Sequence, residues 1–153
     1  MSARRISRQT ARRLAIAKQR LGGDAPADRG PEGLLDLVRH LGCLQIDPIS
    51  AVAPTQVLVP WSRLGPYERD DLDRLLWQER SLFHYFAHAA SLVPTADYPL
   101  HRLRMRRWPA PTSAQGLRIR TWLDENKSLR RHILVELRRR GPRASRDFED
   151  RSA

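Results

Sequence analysis

Apolar positions recur along this chain with several distinct periods, and each period predicts an element. In "SRQTARRLAIAKQRL", Leu14, Ala17 and Leu21 return at helical spacing, and Ser7 stands where an N-cap belongs. The paired Gly22 and Gly23 predict the stop, followed by a Pro- and Gly-rich loop, "DAPADRGPEG". A second amphipathic helix is predicted over "EGLLDLVRHLG", with Leu34, Leu37, Val38 and Leu41 inward and Gly42 just past its end. "CLQID" then alternates, so Leu44 and Ile46 face one way and Gln45 and Asp47 the other. "TQVLVPW" reads as a short extended piece, with Pro60 arguing for an edge or an end. In "RDDLDRLLWQERSLFHYFAHAASL" the spacing of Leu72, Leu75, Leu76, Phe83 and Phe86 predicts a helix, its first turn acidic with Asp70, Asp71 and Asp73.

Further on, "HRLRMRRW" is strongly basic and runs into a Pro-containing linker before a new helical unit. "SLRRHILVELRRRGP" predicts a helix ended by Gly141-Pro142, and "SRDFED" a following one with Ser145 as cap. That pair has the form of the opening of a helix-turn-helix unit. The expected fold is mainly α with short β elements. Residues 5–110 make a first domain, 111–126 a linker and helix, and 127–153 the incomplete start of a second.

Charge changes the picture. Lys and Arg total 28 against 17 acids, for a formal net charge of +11, and only Lys18 and Lys127 are lysines. Arginine's planar fork grips phosphate oxygens in pairs, so the expected partner is nucleic acid. The competing explanation is a coding bias that writes arginine wherever a solvated cation suffices. Candidate phosphate contacts are Arg8 and Arg12, which with Arg4 would share one helix face, and Arg102, Arg104, Arg106 and Arg107 beside Trp108. The tryptophans otherwise read as core or hinge residues. No apolar run reaches the ~18 residues of a membrane span, and no apolar segment follows the basic N-terminus. A single cysteine, Cys43, forms no internal disulfide, so a cytoplasmic, nucleoid-associated location and no membrane contact are expected.

Chemistry centres on Gln45 and Asp47. On an extended backbone both side chains reach one side, where a carboxylate can take a proton from water and an amide can hold that water. The alternative is an ordinary polar strand face. His84 and His88, four apart on the predicted helix, have metal-binding spacing but no third ligand in view.

The strings "RHLGCLQIDPI", "SRLGPY" and "AHAASLVP", together with the opening "TARRLAIAKQRL", resemble the YcaQ-type winged-helix DNA glycosylases over most of residues 7–108. The tail "ILVELRRRGPRASRDF" is similar to the start of that family's second winged-helix domain. The resemblance implies tandem winged-helix domains on double-stranded DNA and hydrolysis of the N-glycosidic bond of N7-alkylated or crosslinked guanine, with no metal or organic cofactor. It places the catalytic pair on Gln45 and Asp47. Arg63 and His88 are further candidate DNA contacts. A partner chain could supply further domains. Two segments depart from the family pattern: Ala53-Pro54-Thr55-Gln56 stands where a basic, His-containing segment is usual, and His84 replaces a carboxylate in Phe83-His84-Tyr85-Phe86. The alternative function is a non-catalytic winged-helix DNA-binding protein or a truncated, inactive relative.

Overall fold

A computed structural model describes residues 5–23, 27–108 and 113–149. Arg4, part of the predicted loop and linker, and the last residues of the tail lie outside the described residues. The chain forms two compact units, one up to residue 99 and one from residue 100. Mainly helical structure with a small antiparallel sheet is what the chain adopts, as the sequence pattern predicts.

Helix α1 spans Arg8–Lys18, and the Ser7 hydroxyl accepts a hydrogen bond from the Thr10 amide at 3.0 Å. The helix ends before the glycine pair. Arg20 takes a left-handed backbone conformation (φ 51°), its amide bonds to the Ala17 carbonyl, and the Leu21 amide bonds to Ile16. Those two bonds make a Schellman stop with arginine in the position glycine usually holds.

Helix α2, Pro31–Leu41, starts with proline where its missing N–H costs nothing and stops at Gly42 (φ 83°). Leu34, Leu37 and Val38 are fully buried, and Leu41 packs against them from the edge. Strand β1 is only Leu44–Gln45. Helix α3 follows over Thr55–Leu64, then α4 over Arg69–Asp73, which widens into a π-helical turn at Arg74–Gln78. Strands β2 (Leu82–Phe86) and β3 (Ala90–Pro94) form a hairpin, and β3 lies between β1 and β2. Leu44, Leu64, Leu72, Leu75, Leu82 and Leu92 close the core over α2. Each such leucine contributes roughly 1.5–3 kcal/mol of hydrophobic burial.

Two predicted elements of the first unit are corrected. "TQVLVPW" is helical, because Pro60 and Leu64 form a buried stripe four residues apart that the alternating Val57-Leu58-Val59 obscures. The helix predicted to run through Phe86 breaks at Arg80 (φ 55°), and "LFHYF" pairs as a strand. Phe83 and Phe86 have helical spacing, yet five β-compatible residues with period-two burial satisfy a hairpin better. The four tryptophans are about half exposed or more, so none is a core residue.

In the second unit, α5 (Tyr98–Arg107) straddles the boundary, and α6 (Ala114–Glu125) and α7 (Lys127–Arg140) meet at Asn126. The Asn126 backbone amide and side-chain amide both donate to the Trp122 carbonyl at 2.9 Å. Gly141 ends α7 as predicted, but the described part of "SRDFED" forms a 3₁₀ turn at Ser145–Asp147 in place of a helix. There the Asp147 carboxylate accepts from the Ala144 amide at 2.8 Å, which makes Ala144 the cap in place of Ser145.

Gly33 is buried on α2 where a Cβ would collide with the backbone carbonyl of Asp28. Gly33→Ala is expected to lower stability by about 1–3 kcal/mol, read as a reduced urea midpoint at unchanged slope. An unchanged midpoint would mean that the loop before α2 moves aside without cost.

Candidate active site and nucleic-acid interface

Gln45 lies on the last residue of β1, opposite Ser91. Ile46 continues the ladder by donating its amide to the Ala90 carbonyl at 2.7 Å. The ladder therefore runs one residue beyond the strand's formal end. Leu44 is buried, Gln45 exposed, Ile46 packed on the core and Asp47 half-buried. The Asp47 Oδ1 accepts a hydrogen bond from the Ile49 amide at 2.9 Å across Pro48. This side-chain turn fixes the carboxylate's orientation. Among the described residues its Oδ2 has no hydrogen-bond partner, so it keeps its acceptor capacity for something outside the chain.

His88 occupies the three-residue loop between β2 and β3, and its Nε2 stands 3.3 Å from the Gln45 Oε1. The loop is braced from within. The Ala87 amide donates to the Ala89 carbonyl at 3.1 Å, and the buried Ser91 hydroxyl donates to the same oxygen at 3.0 Å. Gln45, Asp47 and His88 thus belong to one edge of the sheet, carried by β1 and the hairpin. Nothing local in the sequence announces the Ser91 brace or the Gln45–His88 contact, since the latter joins residues 43 apart.

His84 and His88 do not share a helix face. His84 sits on β2 against the Trp77 ring, with centroids 5.7 Å apart, while His88 is in the loop. The helical spacing that suggested a metal pair is absent. The far face of the sheet carries Phe83 and Tyr85, with Tyr98 edge-on to Phe83 at 5.9 Å.

Arg63 is engaged inside the protein. Its Nε donates to the Gln19 carbonyl at 3.0 Å, its Nη1 to Ser62 Oγ at 2.8 Å and Val59 O at 3.2 Å, and its Nη2 to Gln19 Oε1 at 3.4 Å. Burial pushes its pKa below the ordinary arginine value. With the His40 Nε2–Lys18 carbonyl contact at 2.8 Å and the Arg20–Asp36 pair at 2.9 Å, it fastens the end of α1 to α2 and α3. That fastening matters because α1 buries no residue of its own. Arg8 and Arg12 remain exposed on α1, one turn apart. In the second unit, Arg102, Arg104, Arg106 and Arg107 are all exposed on α5 and have no ion-pair partner among the described residues.

Tyr67, from "SRLGPY", is half-buried under α3 and donates to the Val57 carbonyl at 3.3 Å. Burial raises its pKa, partly offset by Arg69. Gln56 has a buried Oε1 with no hydrogen-bond partner, the one such atom among the described residues. A cleft of about 390 Å³ lined by Asp28, Glu32, Arg74 and Glu79, among others, includes neither Gln45 nor Asp47, and its acidic lining suits no polyanion.

A small helical domain with a three-stranded sheet, carrying an amide and a carboxylate at the sheet edge, is the class these elements define. The family model described as DNA glycosylase AlkZ-like matches residues 38–153, and the chain belongs to that family. DNA is accordingly its substrate class, and DNA repair by a glycosylase its functional setting. No solved structure matches the chain.

Because two hydrogen bonds to Gln19, at the end of α1, come from one guanidinium, Arg63→Ala should speed amide exchange along residues 8–21 while α2 and β3 keep their protection. Uniform loss of protection would instead make Arg63 part of the global core, and no change would show that α1 is held by other contacts.

Proposed function

We propose that this protein hydrolyses the N-glycosidic bond of N7-alkylated or crosslinked guanine in double-stranded DNA, with Asp47 as base and Gln45 as the group that places the water. The reading is carried by one observation within a DNA glycosylase family. Gln45 and Asp47 flank Ile46, whose amide extends the ladder, and the Asp47 Oδ2 has no hydrogen-bond partner among the described residues. An N7-alkylated guanine is already cationic, so its departure needs little proton donation. Water donates a proton to Asp47 while its oxygen forms the bond to C1′. The C1′–N9 electron pair leaves with the base, which becomes neutral. In the transition state positive charge gathers on the sugar, and the Asp47 carboxylate stabilises it. The chemistry calls for no metal or organic cofactor.

From α2 onward the order helix, strand, helix, helix, hairpin, with β3 between β1 and β2, supports a winged-helix reading of the first unit. On that reading α4 with its π-helical turn is the groove-facing helix, and the β2–β3 hairpin is the wing. Residues 127–153 would open a second domain of the same kind. Arg8, Arg12, Arg102, Arg104, Arg106 and Arg107 are proposed phosphate contacts, with Arg63 acting through its hold on α1. The second reading, a DNA-binding protein without catalysis, draws on the exposure of Gln45 and on the net charge of +11.

Asp47→Asn is expected to abolish release of N7-methylguanine from DNA while leaving affinity equal or tighter, because a negative charge near phosphate is removed. Base release by that variant would remove Asp47 from the chemistry. Independently, Arg104→Ala combined with Arg106→Ala should weaken all DNA sequences alike and reduce the salt slope of binding by about 2, near 1 for each phosphate no longer neutralised. An unchanged slope would take α5 out of the interface.

A further inference from the structure

We infer that His88 is a positioning residue for Gln45. It fixes which end of the Gln45 amide faces the reaction. The inference rests on the glycosylase reading of Gln45 for its catalytic meaning, and on the hydrogen bond alone for its structural content. A carbonyl oxygen can only accept, so at 3.3 Å from Gln45 Oε1 the His88 Nε2 carries the hydrogen. With its oxygen held from the hairpin side, Gln45 presents its NH₂ group outward. A free glutamine can flip and offer either a donor or an acceptor, which makes it an indifferent holder of water. Tethered, it is a donor alone.

Donation is the useful polarity. A water that accepts one hydrogen bond from Gln45 and donates one hydrogen to Asp47 keeps its second lone pair for C1′. With both Gln45 and Asp47 accepting, the water would be held through its two hydrogens alone, with neither lone pair engaged by the protein. The division of labour between an amide donor and a carboxylate acceptor therefore depends on a residue outside the pair.

Such a tether works only if its own anchor is firm, and the loop is built for that. The ends of the loop are held by the β2–β3 register, with Phe86 opposite Ala90. Inside it, the Ala89 carbonyl takes both the Ala87 amide and the Ser91 hydroxyl. Ser91 is in turn paired across β3–β1 with Gln45 itself. The strand that carries Gln45 and the loop that orients it are therefore referenced to the same residue.

The test uses the whole 153-residue chain with His88→Ala and His88→Gln. Glutamine places an N–H donor the same number of bonds beyond Cβ as the histidine Nε2, so it can replace the tether without the ring. Single-turnover release of N7-methylguanine at saturating enzyme should fall roughly tenfold to a hundredfold in His88→Ala, recover in His88→Gln, and leave DNA affinity within about twofold. A full rate in His88→Ala overturns the assignment. So does a loss confined to affinity, which would make His88 a DNA contact.

The second readout does not depend on turnover. The side-chain amide signal of Gln45, assigned by its disappearance in Gln45→Glu, should shift in His88→Ala and return toward its original position in His88→Gln. An unmoved signal overturns the tether even if base release is affected. Should the wild-type chain release no base, the glycosylase reading fails, and the amide signal still decides whether His88 holds Gln45.

Discussion

Everything that gives the first unit a chemistry depends on β3 occupying the centre of its sheet. Strand β1 has two residues, too few to hold a position by themselves, and it exists because Leu44 pairs with Leu92 and Gln45 with Ser91. The same strand fixes β2, from Leu82 opposite Pro94 to Phe86 opposite Ala90. Burial enforces the register. Leu44, Leu82 and Leu92 are core residues on one face, and a slip of one position would turn them away from the rest of that core. The hydrophobic constraint thus determines where a polar amide emerges, and does so through a pairing partner nearly fifty residues away in sequence.

The helices that carry their own signals were legible. Ser7 and Gly42 act at the positions their residue types predict, and the Leu34, Leu37 and Val38 stripe is buried as its spacing requires. The two misread segments of the first unit share a cause. In α3 the buried stripe includes Pro60, a residue that propensity argues against in a helix interior, so tertiary burial overrides the local rule. In β2 the aromatic residues fit both periods, and the decision falls to Arg80, whose left-handed conformation ends the preceding helical turns. Arginine gives no such warning in a sequence. Arg20 does the same at the end of α1, two residues before the glycines that predict the stop.

The candidate site was legible only along the chain. Alternation in "CLQID" places Gln45 and Asp47 together, and the structure extends the ladder through the Ile46–Ala90 bond. What could not be read is anything set by tertiary contact. Arg63 looks in sequence like any other phosphate-seeking arginine, yet its donors go to Gln19, Val59 and Ser62. His88 looks like half of a helical pair with His84, yet the hairpin sends it to Gln45 and sends His84 to Trp77. Residue type and spacing specify what a side chain can do. The partner that selects one of those capacities comes from the fold.

The electrostatics of the proposed reaction set one carboxylate against a strongly positive molecule. A chain of net charge +11 attracts DNA, and Asp47 works against that attraction wherever a phosphate comes near. At 4 Å in water the repulsion between two unit charges is about 1 kcal/mol, and it grows as water is excluded. A cost borne equally in the ground state and the transition state would bring no rate. The carboxylate is useful because the two states differ: before bond cleavage the sugar is neutral, and during cleavage it becomes cationic. Asp47 is half-buried, and its orientation is set by the Ile49 amide before substrate arrives. Pre-orientation means the favourable interaction appears as charge develops, with no reorganisation to delay it. On the proposed reading, binding strength is the province of the exposed arginines and rate enhancement that of a carboxylate that weakens binding. Assigning the two demands to different residues on different elements is what would let a carboxylate be tolerated in so basic a chain.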